Sequence, residues 1–577
     1  MHRRSRRGFL VDALVVVASL SLAACGQRSA PGGSASGTGS VTPEPAPTPV
    51  TGSGAGLSAT ASSQPSAAGA QAGAGRSSYG QAPAPESRGT GRATLKAPAD
   101  KRELTIATAA DISKLDPHMS TTFQDIVVTF NLFDNLLARD PDLKLVPRLA
   151  TEWKATGDKV WEFKLRPDVT FHDGSPLTSA DVKFSIERTY DPNAKTLVAT
   201  VFTTVEKVET PDPLTVVFTT KQPDPLLPSR LAFYGGQIIP KAYFEKVGAD
   251  EFNMKPIGSG PVRFKEWVKD DRLVLEANKE YWGGAPDFDR VVFKPIPENQ
   301  PRIAALLSGQ ADMALKLIPD QVVSLEKNEK VRVEGASYAG LYVLVVNSLV
   351  EPLTKPLVKQ ALSLAIDREA IAKSLWRGQG AVPNGFVAPG DTFYDPSRKP
   401  FEYNPDKAKQ LLQEAGYHDE EIVLESSTIV GNDRQMSEAI VEMWKKIGVN
   451  ARMESIEASV RAAKNRDKSF KGLFWSDPTS TLQDPDGMMY RLLAPGGPQD
   501  YWRDAEWDKL GQDARLALDP TVRERAYRRM QEIMDTSLPW IPVIVPIESH
   551  GVADYLNWRS NPNQTLELRR DVLTFNR

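Results

Sequence analysis

Short apolar runs and alternating apolar and polar positions predict several β-strands after residue 100. LTIATAA (104–110), LTVVFTT (214–220) and RVVFK (290–294) are rich in β-branched and aromatic residues. In VWEFKLRPDVTFHDG (160–174), large apolar residues alternate with polar ones, and the run closes on an Asp-Gly pair that predicts a turn. The first half of this region is therefore predicted to be rich in strands.

Apolar residues at helical spacing become more frequent towards the C-terminus. Residues 356–377 predict one helix that stops at Gly378. Thr178 and Asp181 have the spacing of a capping box, which predicts a helix start. Interleaved strands and helices of this kind predict α/β lobes. The remaining predicted helices are the capping-box helix to Arg188, a helix from Asn404-Pro405 to Gly416, one from the cap Asn432 to Lys446, and one over 520–535.

Composition places the chain among ordinary globular proteins. Hydrophobic residues make up 41% and charged residues 25% of 577 residues, which is enough to build several cores. The formal net charge is -3, so no strong basic field favours nucleic acid. The composition therefore predicts a multi-lobed body that does not bind nucleic acid.

The first 25 residues read as an export signal. Basic residues precede an apolar stretch that is too short to span a bilayer and that contains Asp12. Arg6 and Arg7 resemble the twin-arginine motif, although a generic basic start is the alternative. LAAC ends at Cys25, the one cysteine of the chain, and resembles a bacterial lipobox. A chance cysteine after an ordinary signal is the alternative to lipidation.

Residues 26–100 consist almost entirely of Gly, Ser, Ala, Pro and Thr. Such a segment has too few large apolar residues to offset the entropy of ordering. It is predicted to be a disordered linker that tethers a globular body to a lipid. The alternative is that it only spaces the body from the cell envelope.

Motifs of catalysis are not found in the sequence. The five histidines have no metal-like spacing, and there is no H-E-x-x-H, C-x-x-C or phosphate loop. His172 and Asp173 lie in a Phe-His-Asp-Gly turn, where adjacent side chains point apart. The sequence therefore predicts no metal, no cofactor and no enzymatic activity, although a triad assembled from distant segments stays open.

Many stretches resemble one family in the same order along the chain. The family is that of extracytoplasmic solute-binding proteins, family 5, which serve dipeptide, oligopeptide and nickel ABC importers. The resemblance covers essentially all of 101–577. Its segments are LVPRLATEWKATGDKVWEFKLRPDVTFHDGSPLTSADVKFSIER (145–188), IGSGPVRFKEW (257–267), NKEYWGGAPDFDRVVFKPIPE (278–298), ALSLAIDREAIAKSLWRGQG (361–380), YNPDKAKQLLQEAGY (403–417) and SLPWIPV (537–543).

This resemblance implies an α/β, two-lobed fold of the periplasmic-binding-protein type II, cluster C. It also implies an extra subdomain on lobe I and a two-strand hinge, with hinge strands near 341–347 and 540–545. The implied divisions are lobe I at 101–140, 256–340 and 541–577, the extra subdomain at 141–255, and lobe II at 341–540.

The implied activity is capture of a peptide or peptide-like solute by hinge closure, followed by delivery to ABC permease subunits in the cytoplasmic membrane. The receptor is implied to be a monomer, anchored by lipid in the periplasm or on the outer face of the cell membrane. Three alternatives stay open. They are an envelope sensor or chaperone on the same scaffold, an enzyme acting on its solute, and a receptor for an opine, glutathione, an oligosaccharide or a metal chelate.

The resemblance also implies ligand contacts in lobe II. Asp477 matches the aspartate that pairs with the ligand ammonium, and Trp475 matches an apolar wall, although one residue fewer separates them than in the family. The alternative is that Asp477-Pro478 merely opens a turn. The family arginine that holds the ligand carboxylate falls at Ser427, which is not basic, so hydroxyl donors are expected there.

Further contacts are implied in lobe I and at the hinge. Ser120, Thr121 and Thr122 match a loop that lines the cleft, with capping of a helix as the alternative. Tyr342 and Asn347 lie on the predicted hinge strand. Since side chains alternate along a strand, half of such residues are expected to face the core instead.

Overall fold

The structure is a computed structural model that describes residues 91–577 except 326, 338, 428, 429, 480, 481 and 564. The predicted export signal with Arg6 and Arg7, the lipidation site Cys25 and the linker up to residue 90 lie outside the described residues. Among the described residues, no helix is long and apolar enough to cross a membrane.

Strands occur along the whole described chain. They form one twelve-stranded sheet, one four-stranded sheet and two small two-stranded sheets. In chain order the strands are β1 (Glu103–Thr108), β2 (Leu137–Arg139), β3 (Leu145–Pro147), β4 (Ala150–Gly157), β5 (Val160–Leu165), β6 (Val205–Asp212), β7 (Thr215–Thr220), β8 (Val262–Val268), β9 (Arg272–Ala277), β10 (Arg290–Pro295), β11 (Met313–Leu317), β12 (Val331–Ser337), β13 (Tyr342–Val346), β14 (Gly380–Ala381), β15 (Ile422–Ser426), β16 (Ala451–Ser455), β17 (Leu473–Ser476), β18 (Trp540–Ala553), β19 (Leu556–Asn557) and β20 (Thr574–Phe575).

Helices alternate with these strands and are longest in the C-terminal half. In chain order they are α1 (Phe123–Leu132), α2 (Ser179–Tyr190), α3 (Leu227–Arg230), α4 (Lys241–Met254), α5 (Asn299–Leu307), α6 (Pro319–Leu325), α7 (Pro356–Leu364), α8 (Arg368–Ser374), α9 (Pro405–Glu414), α10 (Asp433–Lys446), α11 (Ala458–Asp467), a π-helical turn (Asp486–Tyr490), α12 (Arg491–Leu493), α13 (Ala505–Leu516) and α14 (Pro520–Ser537).

One strand, β18, belongs to both lobes. Its first residues, 540–544, pair with β13 in lobe II. Its later residues, 547–553, pair with β12, and the same half also pairs with β11 in lobe I. The chain crosses between lobes a second time where β12 leads into β13. The predicted hinge is therefore displaced by a few residues, because Trp540–Ile544 still belongs to the lobe II part of the sheet.

The segment between lobe I strands forms a body with its own core. β4, β5, β7 and β6 make a four-stranded antiparallel sheet. Phe163 and Phe218 meet edge to face inside it, with ring centroids 5.4 Å apart. Its apolar cluster extends from Leu136 to Ile238 and includes residues of α2. The four strands of this body lie within 141–255, the range in which the resemblance implies an extra subdomain.

Lobe II packs apolar residues on both faces of its part of the sheet. Leu344 and Trp475 belong to the cluster on one face, while Val343 and Phe474 belong to the cluster on the other. Adjacent residues of one strand thus enter different cores, as the two-residue period of a strand requires. α10 covers the first face, and α13 and α14 cover the second.

The capping box predicted at Thr178 is confirmed. α2 begins at Ser179, and the Asp181 carboxylate accepts a hydrogen bond from the Thr178 N–H at 2.9 Å. Asn432 also precedes its helix, but its side chain does not cap it. The residue is left-handed, with φ 58, and its Nδ2 donates to the Leu375 carbonyl at 3.0 Å.

The single helix predicted over 356–377 is wrong. α7 ends at Leu364 and α8 starts at Arg368. Asp367 breaks the helix because its carboxylate caps α8, accepting from the Ala370 N–H at 2.9 Å. The Arg368 side chain then turns inward and donates to the Pro542 carbonyl of β18 at 2.7 Å.

The predicted disordered linker ends earlier than residue 100. One Asp554 carboxylate oxygen accepts hydrogen bonds from the N–H groups of Thr94 and Leu95 at 3.0 and 2.9 Å. The Gly91 N–H donates to Glu334 at 3.0 Å, and the Ala93 N–H donates to Asn557 at 2.9 Å. Backbone donors rather than apolar side chains hold this segment, which is why composition did not predict it.

Asp134 joins the subdomain to lobe I. This carboxylate is 1% exposed and forms an ion pair with Arg148 at 2.9 Å. It also accepts hydrogen bonds from Ser259 Oγ at 3.1 Å, Tyr281 OH at 3.0 Å and Trp282 Nε1 at 3.1 Å. A buried carboxylate needs such a set of donors to offset the loss of water.

Asp134→Asn is expected to lower the free energy of unfolding by about 3 kcal/mol, because it removes the nearer of the two carboxylates that pair with the buried Arg148 guanidinium and leaves only Glu567, at 3.5 Å. Urea unfolding followed by circular dichroism measures this. Asp513→Asn is the matched control, since that side chain is 59% exposed and pairs with Lys509 on the surface. The control is expected to change stability by less than about 0.5 kcal/mol. Equal effects of the two substitutions would contradict the role of Asp134.

Candidate functional site

The carboxyl ends of three parallel strands of lobe II meet at one edge of the sheet. β15 runs parallel to both β16 and β17. Ser427 follows β15 directly, and Asp477 follows β17. Tyr342 begins the antiparallel strand β13, in which Val343 pairs with Ser476, so Tyr342 lies at the same edge. Crevices outside the carboxyl ends of strands are where ligands bind in α/β sheets.

Asp477 is fixed next to the crossing between the lobes. Pro478, the next residue, accepts a hydrogen bond through its carbonyl from the Leu341 N–H at 3.2 Å. Gly340 and Thr479 form an isolated bridge beside it. Any rotation about the segment between β12 and β13 therefore changes what Asp477 faces.

Asp477 is accessible to water and is also surrounded by protein. The residue is exposed, yet the protein around it raises the pKa of its carboxyl from 3.8 to about 6. A hydrogen bond from its own backbone and the charge of Arg461 act in the opposite direction. The carboxylate is therefore accessible to water while the surrounding protein still removes part of its hydration.

Arg461 lies at the same edge and is a site residue that the sequence did not reveal. Its Nη1 donates to Ser427 Oγ at 3.2 Å, and its Nη2 donates to the Trp475 carbonyl at 2.7 Å. Burial lowers the pKa of the guanidinium, and Asp477 is the carboxylate that most strongly opposes this. Its helix, α11, has no apolar stripe in sequence, so nothing marked this arginine as inward-facing.

Tyr342 and Ser427 lie at the same edge as Asp477 and Arg461. The Tyr342 ring is half-buried and packs edge-on against Trp376, with ring centroids 5.5 Å apart. Ser427 is buried. The edge therefore brings together a phenol, a hydroxyl, a carboxylate and a guanidinium.

Trp475 and Asn347, two of the predicted ligand contacts, do not lie with these four side chains. Trp475 is fully buried in a lobe II core, and its Nε1 donates to Ser437 Oγ at 2.7 Å. Asn347 lies at the opposite edge of the sheet, because β13 runs antiparallel to β17. Its Nδ2 donates to the Phe470 carbonyl at 2.8 Å and its Oδ1 accepts from the Leu349 N–H at 3.1 Å. Both side chains hold the fold and present no polar group to the cleft edge.

The predicted lobe I contacts, Ser120, Thr121 and Thr122, lie in a loop that follows the carboxyl end of β1. β1 runs parallel to β10 and β11. Thr122 is exposed and caps α1 through its Oγ1, which accepts from the Asp125 N–H at 3.4 Å. Ser120 is buried and donates its hydroxyl to the Asp125 carboxylate. Thr121 is half-buried. Helix capping therefore accounts for Thr122, and hydrogen bonding within the loop accounts for Ser120.

A charged pair lies near the same edge of lobe I. Lys316 Nζ lies 3.0 Å from Glu548 and 3.6 Å from the centroid of the Phe123 ring. Glu548 belongs to β18 at the point where that strand has just entered lobe I. This pair is a second feature that the sequence did not reveal, because its members are more than 200 residues apart.

His172 has a structural role. Its Nε2 is 3.1 Å from the Gly260 carbonyl, and its Nδ1 accepts from the Gly258 N–H at 3.1 Å. Burial lowers its pKa to about 4, so the ring is neutral at neutral pH. The turn expected at this position is confirmed.

Residues 144–500 match the family described as bacterial extracellular solute-binding proteins, family 5 Middle. The chain belongs to family 5 of the bacterial extracellular solute-binding proteins. The glutathione-binding protein GsiB of Escherichia coli strain K12 is 28% identical over 457 residues, which span 77% of this chain and 89% of GsiB. The family predicted from the sequence is therefore confirmed.

Solved structures share the whole fold. HbpA2 from Haemophilus parasuis superimposes with a TM-score of 0.75 at 25% identity, over 82% of this chain and 99% of HbpA2. The periplasmic binding protein DppA from Helicobacter pylori, solved with the peptide STSA, gives 0.67 at 24% identity, over 82% of this chain and 98% of DppA. The predicted two-lobed, type II periplasmic-binding-protein fold is confirmed.

Asp477→Asn is expected to make stability depend less on pH. Below about pH 4 the carboxyl is protonated in the folded and the unfolded chain, so ionisation has no effect. Between about pH 4 and 6 only the unfolded chain releases the proton, so the wild type loses stability relative to the variant as pH rises. Above about pH 6 the difference stays constant. Urea unfolding at several pH values measures it, and a difference independent of pH would contradict the raised pKa.

Proposed function

We propose that this protein is the solute receptor of an ABC importer, that it captures a peptide or peptide-like solute between its lobes, and that it delivers the solute to permease subunits. The observation that carries the solute class is the Asp477 carboxylate, which is accessible to water and adjacent to the interlobe crossing. A carboxylate that is accessible and partly surrounded by protein favours an ammonium group, because charge-assisted hydrogen bonds strengthen where protein replaces water.

Closure about the two crossings would bring the lobes together over the solute. A ligand that contacts both lobes stabilises the closed form by its differential affinity for that form. The lobes also touch away from the hinge: Arg139, at the end of β2, donates to the Leu482 carbonyl at 2.7 Å, and Arg377 pairs with Asp320 at 2.9 Å. Both contacts join the two lobes directly.

Relatives support a peptide-like solute that carries an ammonium group. GsiB is a glutathione-binding protein by name, and glutathione carries an ammonium and two carboxylates. Structures of the same fold were solved with Ni(L-His) in NikZ from Campylobacter jejuni and with mannopinic acid in MoaA. Those two solutes define the non-peptide alternatives that a test must include.

Mass spectrometry of the solute that co-purifies with the protein tests the proposal directly. A thermal-shift series with glutathione, dipeptides, tripeptides, mannopinic acid, oligosaccharides and nickel–histidine provides the second arm, because a ligand of the folded state raises its melting temperature. Peptide-like solutes are expected to give the shift and to be recovered unmodified. A shift with only solutes that lack an ammonium group would overturn the assigned class, and a solute converted to product would indicate an enzyme.

Asp477→Asn is expected to weaken binding of an ammonium-bearing solute by about 10- to 100-fold, as expected for loss of a hydrogen bond to a charged group. Isothermal titration at pH 7.5 measures the change. Asp467→Asn is the matched control, since that carboxylate is 59% exposed at the end of α11. Equal affinities of wild type and Asp477→Asn would remove Asp477 from the site.

We propose that the receptor is anchored to the membrane by lipid on Cys25 after export through the twin-arginine route, which Arg6 and Arg7 would direct. Residues 26–90 would then tether the body in the periplasm or on the outer face of the cell membrane. Support for this proposal comes from the sequence motifs alone.

Cys25→Ser is expected to release the protein from the membrane fraction and to leave its solute affinity unchanged, because the thiol is the attachment point and the body starts near residue 91. Fractionation and immunoblotting measure this. Arg6→Lys with Arg7→Lys is the companion variant, and it should block export if the twin-arginine route carries the protein. Retention of Cys25→Ser in the membrane fraction would contradict lipidation.

A further inference from the structure

The hairpin formed by β2 and β3, residues 137–147, carries a buried leucine in its turn. Leu143 is only 3% exposed. Its backbone is left-handed, with φ 63, which is uncommon for a bulky residue. The Asp140 carboxylate fixes the turn, because it accepts hydrogen bonds from the N–H groups of Asp142 and Lys144 at 3.0 and 2.9 Å. The turn is therefore shaped by its own bonds.

Lobe II approaches Leu143 through a glycine. A Cβ atom added to Gly390 would lie 2.5 Å from Leu143 Cδ1, which is closer than two non-bonded carbon atoms can approach. Gly390 also has a positive φ of 90, which favours glycine. Lobe II thus presents bare backbone at the point where the leucine meets it.

Arg139, in the same hairpin, donates hydrogen bonds to both lobes. Its Nη2 donates to Ser229 Oγ at 2.9 Å on its own side and to the Leu482 carbonyl of lobe II at 2.7 Å. Burial lowers the pKa of the guanidinium to about 10, and the carboxylates that most strongly oppose this are Asp391 and Asp484. Both carboxylates belong to lobe II, so the charge of Arg139 is attracted across the lobe boundary.

The lobe II surface that receives the hairpin is built from two loops, 388–392 and 482–484, which we call the socket. Thr392 joins the loops, because its N–H and its Oγ1 both donate to the Gln483 carbonyl, at 3.1 and 2.7 Å. Asp484 pairs with Arg523 of α14 at 2.5 Å. The socket is therefore bonded into lobe II independently of the hairpin.

Neither the hairpin nor the socket belongs to the strands that cross between the lobes. The hairpin leads into Arg148, which pairs with Asp134 and so joins it to lobe I. A rotation that separates the lobes about their crossings therefore parts the hairpin from the socket. Such a rotation would expose Leu143 to water, which is unfavourable for an apolar side chain.

We propose that the hairpin is an interlobe latch: Leu143 and Arg139 dock in the socket when the lobes close and leave it when they open. The latch favours the closed arrangement in the absence of solute, so it sets how much closed form the empty receptor contains. A larger closed fraction raises the apparent affinity for a solute that the closed form holds. The inference rests on the proposed function and adds a device that controls it.

Thiol reactivity measures the latch without a solute. In a full-length chain with Cys25→Ser and Leu143→Cys, the thiol in the hairpin turn is the sole thiol, and a maleimide reagent reaches it when the lobes open. Adding Arg139→Gln is expected to raise the reaction rate by about 10-fold, as expected for loss of a hydrogen bond from a charged group. Arg377→Gln is the matched control, because that interlobe pair is on the surface and Arg377 is 53% exposed. The control is expected to change the rate by less than about twofold.

A thiol in the core distinguishes opening of the lobes from unfolding. Ala361 is fully buried in a lobe II core, so Ala361→Cys in the Cys25→Ser chain is expected to stay unreactive with and without Arg139→Gln. Equal acceleration at positions 143 and 361 would overturn the latch, because Arg139 would then support folding in general. A thiol at position 143 that is as protected as the one at 361, or whose rate does not respond to Arg139→Gln, would also overturn it.

A variant of the turn tests the latch without changing the arginine. Spin labels on Lys265→Cys in lobe I and Lys445→Cys in lobe II, both more than half exposed, report the separation of the lobes by pulsed electron paramagnetic resonance in the same cysteine-free background. Leu143→Ser is expected to add a second population of distances in the absence of solute. Leu349→Ser is the matched control, since that leucine of lobe II is 57% exposed. A distribution that Leu143→Ser leaves unchanged would overturn the proposal.

Failure of the latch is distinguishable from failure of the proposed function. None of these measurements uses a solute, so a hairpin that never leaves its socket removes the latch and leaves the receptor function to the solute screen. A screen without a peptide-like solute removes that solute class, and the thiol and distance measurements still decide the latch.

Discussion

The rest of the structure depends on the hydrogen-bond register of β18. Residues 540–544 are locked to β13 and residues 547–553 to β12, so a single uninterrupted strand carries the alignment of one lobe into the other. A slip of one residue would reverse which side chains face the cores on both sides. The register therefore opposes sliding of one lobe along β18, and Asp477 lies next to the crossing that this register fixes.

Buried charges divide into two groups by how they are compensated. Asp134 has an arginine and three further donors, and Arg368 donates to four acceptors of the fold, including the Pro542 carbonyl of β18. Such groups hold elements together. Arg461 donates to two neutral acceptors, and Asp477 is the carboxylate that most strongly favours its charge. Asp477 differs from the framework groups because it is exposed and therefore accessible to a ligand.

Local rules predicted much of the fold and less of the site. The capping box at Thr178 and the strand at 104–110 follow from interactions a few residues apart, and the sequence alone predicts them. Long-range contacts could not be predicted from such local rules. The break after Leu364 depends on Asp367 and on Arg368 reaching β18, and Arg461 meets Ser427 only because α11 folds back over the sheet. The positions of Trp475 and Asn347 could not be predicted, because the face that a side chain takes and the direction of its strand become known only when the strands are paired.

The segment from Gly91 to Leu95 has a mechanical consequence. Its bonds go to Glu334, Asn557 and Asp554, all of which belong to the lobe I side of the molecule. Tension applied through the preceding chain would therefore load lobe I at these bonds and bypass the strands that cross to lobe II. None of these bonds reaches lobe II, so a pull from the chain ahead of Gly91 would reach lobe II only through lobe I.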